Sequence, residues 1–171
     1  MRGGILALAL LCGSALAAPA PPPNLVVIDA RLSTAGQPSA EWLATLKEQG
    51  YEAVLYLAPA TVSDAVREEP QLVAAQGLIW RHIPIPFGAP TAAHYEEFVR
   101  QLAELRERKL LVHCQVNMRA SSLTFLYRVL VEGVDPHEAW EAVARVWTPQ
   151  GPWRRLMLDQ LRRRGIAFDP F

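Results

Sequence analysis

Three short apolar runs constrain this chain more than any other feature. They are Ala53 to Leu57, Leu78 to Ile83 and Lys109 to His113, and stretches with helical spacing separate them. Short runs of this kind, apolar throughout in Ala53 to Leu57 and largely so in the other two, suit strands of a covered sheet. Strands that alternate with helices imply parallel β-α-β units and a sheet covered by helices on both sides. The expected fold class is therefore α/β, a three-layer domain around a central, mostly parallel sheet.

The remaining segments fit this frame. Leu25 to Ile28 reads as an edge strand and Ser33 to Pro38 as a loop. Ser39 is placed to cap a helix that carries Trp42, Leu43 and Leu46 and ends at Gly50. Pro70 suits the first turn of a short helix that stops at Gly77. Thr91 caps a longer one, in which Tyr95, Phe98, Val99, Leu102 and Leu105 recur on one face. An apolar helix over Ala120 to Glu132 is stopped by Gly133. Asp135-Pro136-His137-Glu138 resembles a capping box, and Trp140, Val143, Ala144 and Trp147 form the inner face of the helix it opens. A last helix covers Pro152 to Arg164.

At 171 residues the chain is long enough for one domain. Its 17 basic and 17 acidic residues balance, so no charge excess points to nucleic acid or to a membrane surface. Arg2, the compact apolar run Ile5 to Cys12 and Ala15-Leu16-Ala17 form the pattern of a secretory signal peptide over residues 1–18. The run is too short for a membrane span, which takes about 20 apolar residues. A proline-rich spacer, 19–23, and a domain over 24–171 follow. The expected location is periplasmic or secreted, with no membrane span in the mature protein. Removal of the leader takes Cys12 away and leaves Cys114 without an intramolecular disulfide partner, either an intermolecular link or a free reactive thiol. The four histidines are scattered, and no set of residues has metal-ligand spacing. Neither metal nor other cofactor is expected.

The surroundings of Cys114 point to a reactive thiol. It follows a strand and precedes a helix, in Val112-His113-Cys114-Gln115-Val116-Asn117-Met118-Arg119-Ala120-Ser121. In parallel sheets, ligands bind beyond the carboxyl ends of the strands. A helix start and a nearby cation such as Arg119 favour the thiolate. Loop amides at Gln115, Val116, Asn117, Met118 and Ala120 are placed to form an anion nest. The planar fork of Arg119 suits a tetrahedral oxyanion. Ser121 is a candidate hydrogen-bond donor to the sulfur, and His113 a support beneath the loop.

This stretch resembles the protein tyrosine phosphatase superfamily, whose signature is His-Cys, five residues, Arg, then Ser or Thr. More closely, the chain resembles the bacterial DUF442, or beta-lactamase hydrolase-like phosphatase, family. The resemblance is carried by Leu32-Ser33-Thr34-Ala35-Gly36-Gln37-Pro38-Ser39, Pro90-Thr91, the cysteine loop, Phe125-Leu126-Tyr127-Arg128 and Trp147. It implies a phosphatase-like fold and a tyrosine or dual-specificity type of enzyme. That enzyme would hydrolyse phosphate monoesters through a phosphocysteine, with Cys114 as nucleophile and Arg119 as oxyanion clamp.

Two departures keep other chemistries open. Only four residues separate Cys114 from Arg119, so without a gap Ala120 takes the arginine's place and Ser121 the Ser or Thr position. Four spacers also match the loop of rhodanese-like sulfurtransferases, although these usually carry a mid-loop glycine where this chain has Asn117. The segment expected to supply a proton donor, 84–90, has no carboxylate. Asp64, Glu68, Glu69, His94 and Glu96 are the nearest substitutes, each otherwise an ordinary surface residue. The readings are thus a phosphatase, a sulfurtransferase or persulfide carrier, and a weakly catalytic anion-binding module. The substrate is correspondingly a phosphorylated or sulfur-bearing small molecule or protein. In all but the last, Arg119 is expected to turn into the anion site although it comes one residue early.

Overall fold

A computed structural model describes residues 18–171. The expected signal peptide lies almost wholly outside them, and so does Cys12. Five strands form one sheet: β1 (Val26–Val27), β2 (Leu32–Ala35), β3 (Ala53–Tyr56), β4 (Ile79–His82) and β5 (Leu110–His113), in the order β1-β2-β5-β3-β4. All neighbours run parallel except β1, which pairs antiparallel with β2. The three-layer α/β expectation holds.

Side chains alternate across these buried strands. Leu110 and Val112 of β5, with Ala53 and Leu55 of β3, face a large core. That layer is built from α3 (Ala92–Leu105), α4 (Met118–Leu130), α5 (Pro136–Ala144) and α6 (Gly151–Arg163). Leu111 and Val54 face the other way, onto α1 (Ala40–Leu43) and α2 (Glu69–Ala75), where Trp42, Leu43, Leu46 and Val73 close a smaller core. The caps read from sequence form. Ser39 accepts from Trp42 N–H, Thr91 makes a reciprocal box with His94, and Asp135 accepts from His137 and Glu138.

Two expectations are corrected. The segment taken as a loop, Ser33 to Pro38, is in its first half the strand β2, buried throughout and paired with β5 from Leu32↔Leu110 to Ala35↔His113. Serine and threonine gave Ser33-Thr34 a polar look. The Thr34 hydroxyl is instead spent on Asn117 across the sheet. The helix expected from Ser39 to Gly50 is regular only over Ala40–Leu43 and continues as turns, with Gly50 at φ 80°. The end of the proline segment is also tied down, since Pro22 is buried and Pro23 O accepts from Gly36 N–H at 2.7 Å.

Gly36, which follows β2, is required by close approach. A Cβ there would lie 2.8 Å from Gln115 O and 3.0 Å from Pro23 O. Both neighbours are backbone and cannot rotate aside. Gly36→Ala is expected to cost about 1–3 kcal/mol, as overpacking does, read as a lower urea midpoint at unchanged m-value.

Candidate active site

Cys114 is the first residue after β5, at the carboxyl edge of the sheet and completely buried. Strand pairing continues through it: its N–H donates to Ala35 O at 3.2 Å, and Leu57 N–H to His113 O at 2.9 Å. The loop that follows is held from outside. Gln115 O accepts from Gln37 N–H at 2.8 Å, and Val116 O from Asn24 Nδ2 at 3.0 Å. In a trans peptide the N–H points opposite to the C=O, so these bonds turn the next two N–H groups the other way, away from the segment that holds the carbonyls.

Asn117 completes the turn at φ 71°, in the left-handed region that asparagine tolerates better than other non-glycine residues. This explains how the loop manages without a mid-loop glycine. The side chain is buried, and its Nδ2 donates to Asn24 O at 2.6 Å and Thr34 Oγ1 at 3.0 Å. Helix α4 then begins at Met118, two residues earlier than expected, so Arg119 lies in its first turn. The N–H groups of Gln115, Val116, Met118, Arg119 and Ala120 have no hydrogen-bond partner among the described residues. Unpaired amides at a helix start are a ready anion site.

Arg119 is turned inward, 3% exposed. Its Nε donates to Ile85 O at 2.9 Å, and the guanidinium lies 5.1 Å from the ring centroid of Phe87. Nη1 and Nη2 have no partner among the described residues. The segment 84–90 therefore serves the site with a carbonyl and an aromatic face rather than an acid. Phe87 is itself held by contact with Trp147 and Trp153, and Trp153 Nε1 donates to Phe87 O at 2.8 Å. Ser121 is buried, and its hydroxyl is directed to Met118 O at 3.3 Å.

Beneath the loop lies a polar floor, of which sequence reasoning named His113 and missed its partners. His113 is buried with Nε2 donating to Glu69 Oε1 at 2.8 Å. Glu69 opens α2, is 1% exposed and also accepts from Trp80 Nε1 at 2.9 Å and Gln37 Nε2 at 2.8 Å. Burial alone would raise its carboxyl. The His113 ring, with the Trp80 and Gln37 bonds, outweighs burial and holds Glu69 below the ordinary carboxylate range. Tyr56 stacks on His113 at 4.8 Å and on His82 at 5.1 Å, one row of rings across β5, β3 and β4. The sequence offers one hint of this floor, Pro70 directly after Glu69, which places that carboxylate in a first turn. Among the other sequence candidates, His94 is committed to the α3 cap and Asp64 bonds to Gln115.

This geometry, a buried cysteine between a parallel strand and a helix start with an inward arginine, defines the class of cysteine-dependent phosphatases. A family model described as "DSP-PTPase phosphatase fused to NAD+ kinase" matches residues 26–153, and the chain belongs to that family. Solved structures agree. A DUF442 protein from Shewanella putrefaciens is 25% identical, superposes with a TM-score of 0.76, and the match covers 82% of this chain and 90% of that one. The core catalytic domain of the PP-IP phosphatase SIW14 from S. cerevisiae shares the fold at 16% identity, with a TM-score of 0.67 over 89% and 90%. So does TpbA from P. aeruginosa, solved with pTyr, at 21% identity, with a TM-score of 0.57 over 81% of each chain. No protein with a curated description matches.

Because the Glu69 carboxyl lies below its unfolded value, it adds stability that is present above about pH 4.3. That stability is lost as pH falls through the lower folded value. Glu69→Gln sets an amide N–H₂ against one of three donors and is expected to cost about 1–3 kcal/mol at neutral pH. The gap between parent and variant should narrow in urea melts run below pH 4.

Proposed function

We propose that the chain hydrolyses phosphate monoesters, with Cys114 attacking phosphorus to form a phosphocysteine that water then cleaves. The observation that carries this reading is the set of unpartnered loop and α4 amides beside an inward Arg119 whose Nη1 and Nη2 are free among the described residues. Such an array binds a tetrahedral oxyanion and stabilises the extra charge of the transition state. His113, Asn117, Gly36 and Glu69 position the loop, and the family membership favours phosphate over sulfur as the transferred group. The substrate is accordingly a phosphorylated molecule.

Two variants test the roles. Cys114→Ser should abolish turnover of an aryl phosphate and leave no phosphoryl adduct in intact mass spectra of acid-quenched protein. Arg119→Lys keeps the charge but removes the fork. It should weaken vanadate binding by about 10–100-fold, from the loss of a charged hydrogen bond of about 1.5–3 kcal/mol. Vanadate affinity equal to the parent's by calorimetry would refute the clamp. A sulfur adduct from thiosulfate, with no phosphoryl adduct from any ester, would instead establish the persulfide carrier.

We further propose that the enzyme acts outside the cytoplasm. Support comes from Arg2, the apolar run Ile5 to Cys12 and the small residues Ala15 and Ala17. Among the described residues no helix is long and apolar enough to cross a membrane. Sequencing the mature N-terminus from fractionated cells is expected to show a start near Ala18, and an intact Met1 would overturn the assignment.

A further inference from the structure

The phosphatase reading needs a proton for the leaving oxygen, because an alkoxide or phenoxide leaves slowly unprotonated. Segment 84–90 has no carboxylate to give, and its backbone is already engaged by Arg119 and Trp153. Resting on that reading, we propose that Asp64, from the connection between β3 and α2, is the general acid of this site.

The carboxylate is delivered by the cysteine loop itself. Gln115, the residue after the nucleophile, donates through Nε2 to Asp64 Oδ1 at 2.9 Å. Among the described residues no other carboxylate bonds to a residue between Cys114 and Arg119. Asp64 is exposed, and its second oxygen has no partner among the described residues. The carboxylate therefore stands at the solvent side of the loop with one oxygen held and one free. Tyr56 feels the same set of charges. Burial, then the charges of Glu69, Asp64 and Cys114, hold its hydroxyl above the ordinary phenol range, and Arg119 opposes them. Nucleophile, clamp and Asp64 thus act on one hydroxyl.

The other carboxylates and the histidine do not fit. Both oxygens of Glu69 are occupied by three donors, and it is buried beneath His113 and held in its ionised form. His94 is committed to Thr91 at the start of α3. Glu68 and Glu96 are exposed, with no bond to the loop.

The chemistry balances around Asp64. In the first step the Sγ–P bond forms, the P–O bond to the leaving group breaks, and the Asp64 proton passes to the leaving oxygen. In the second step the Asp64 carboxylate takes a proton from water as its oxygen attacks phosphorus. The S–P bond breaks, and thiolate, inorganic phosphate and protonated Asp64 are restored.

The test compares the mature protein with Asp64→Asn and Gln115→Ala, each checked for folding by urea melt, on aryl phosphates from dinitrophenyl to phenyl phosphate. Asp64→Asn should lose about 10²–10³-fold in kcat/KM on phenyl phosphate, and little on the dinitrophenyl ester, whose phenoxide leaves without a proton. With that ester it should also accumulate phosphocysteine in acid-quenched mass spectra, because the second step lacks its base. Gln115→Ala, which frees the acid without removing it, should show a smaller loss with the same leaving-group trend. An equal loss on both esters would reduce Asp64 to a positioning residue, and no loss would place the acid elsewhere; either result overturns the proposal and leaves the phosphatase reading intact. A parent protein that cleaves no ester and forms no phosphocysteine would end that reading and the Asp64 assignment together.

Discussion

Backbone carbonyls of an anion loop must point away from the anion if the amides between them are to point at it. Here that orientation is imposed from outside the loop. Gln37 N–H and Asn24 Nδ2 take the carbonyls of Gln115 and Val116, and Asn117 turns the chain through a positive φ into α4. Once those carbonyls are fixed, rigid peptide planes do the rest. The first amides of α4 then lie unpaired beyond Cys114 because of where the helix begins. The left-handed residue, the absent Cβ at Gly36 and the early start of α4 answer one requirement: five residues must reverse direction tightly enough to surround an anion.

The floor answers a different requirement. A loop that gathers negative charge pulls on whatever polar group lies below it, and His113 lies directly below. Glu69 and the rings of Tyr56 and His82 fix that imidazole on one side by a charge-assisted bond and on another by stacking. The Glu69 carboxylate is satisfied by three donors from three parts of the chain. It therefore stays ionised inside the protein at little cost, where a lone buried carboxylate would be expensive. Gln37 belongs to both systems, through its backbone to the loop and through its side chain to Glu69. A displacement of either is felt by the other.

What was legible in the sequence was whatever a local pattern encodes. Apolar runs located β3, β4 and β5, periodicity located α3 to α6, and capping residues located most helix starts. The cysteine loop was legible because its residues are consecutive. The strand β2 was missed because Ser33 and Thr34 are polar for reasons that lie across the sheet, at Asn117 and β5. Glu69 looked like one more surface acid beside Glu68, since a buried carboxylate is made acceptable by Trp80, Gln37 and His113, which no local window contains. The place of Arg119 was uncertain by one helical residue, and the early start of α4 resolves it: the shorter loop is offset by a helix that begins sooner. Tertiary hydrogen bonds set the polar half of the site, and these leave almost no trace in composition or period.

Pro23 and Asn24 have a consequence for how this protein is handled. They are among the first described residues of the domain, yet Pro23 O holds Gly36 and the Asn24 side chain and carbonyl hold Val116 and Asn117. The amino-terminal segment is therefore a strut of the reactive loop, a few residues from where leader cleavage is proposed. Trimming the chain past Asn24 would free the Val116 carbonyl, the Asn117 side-chain amide and the Gly36 N–H while leaving the sheet and both cores intact, giving a well-folded protein with a slack anion site. Bulk attached immediately before Pro22, which is buried, would press on the same strut. Loss of activity in an amino-terminally altered version would then report on the ends of the chain, not on Cys114.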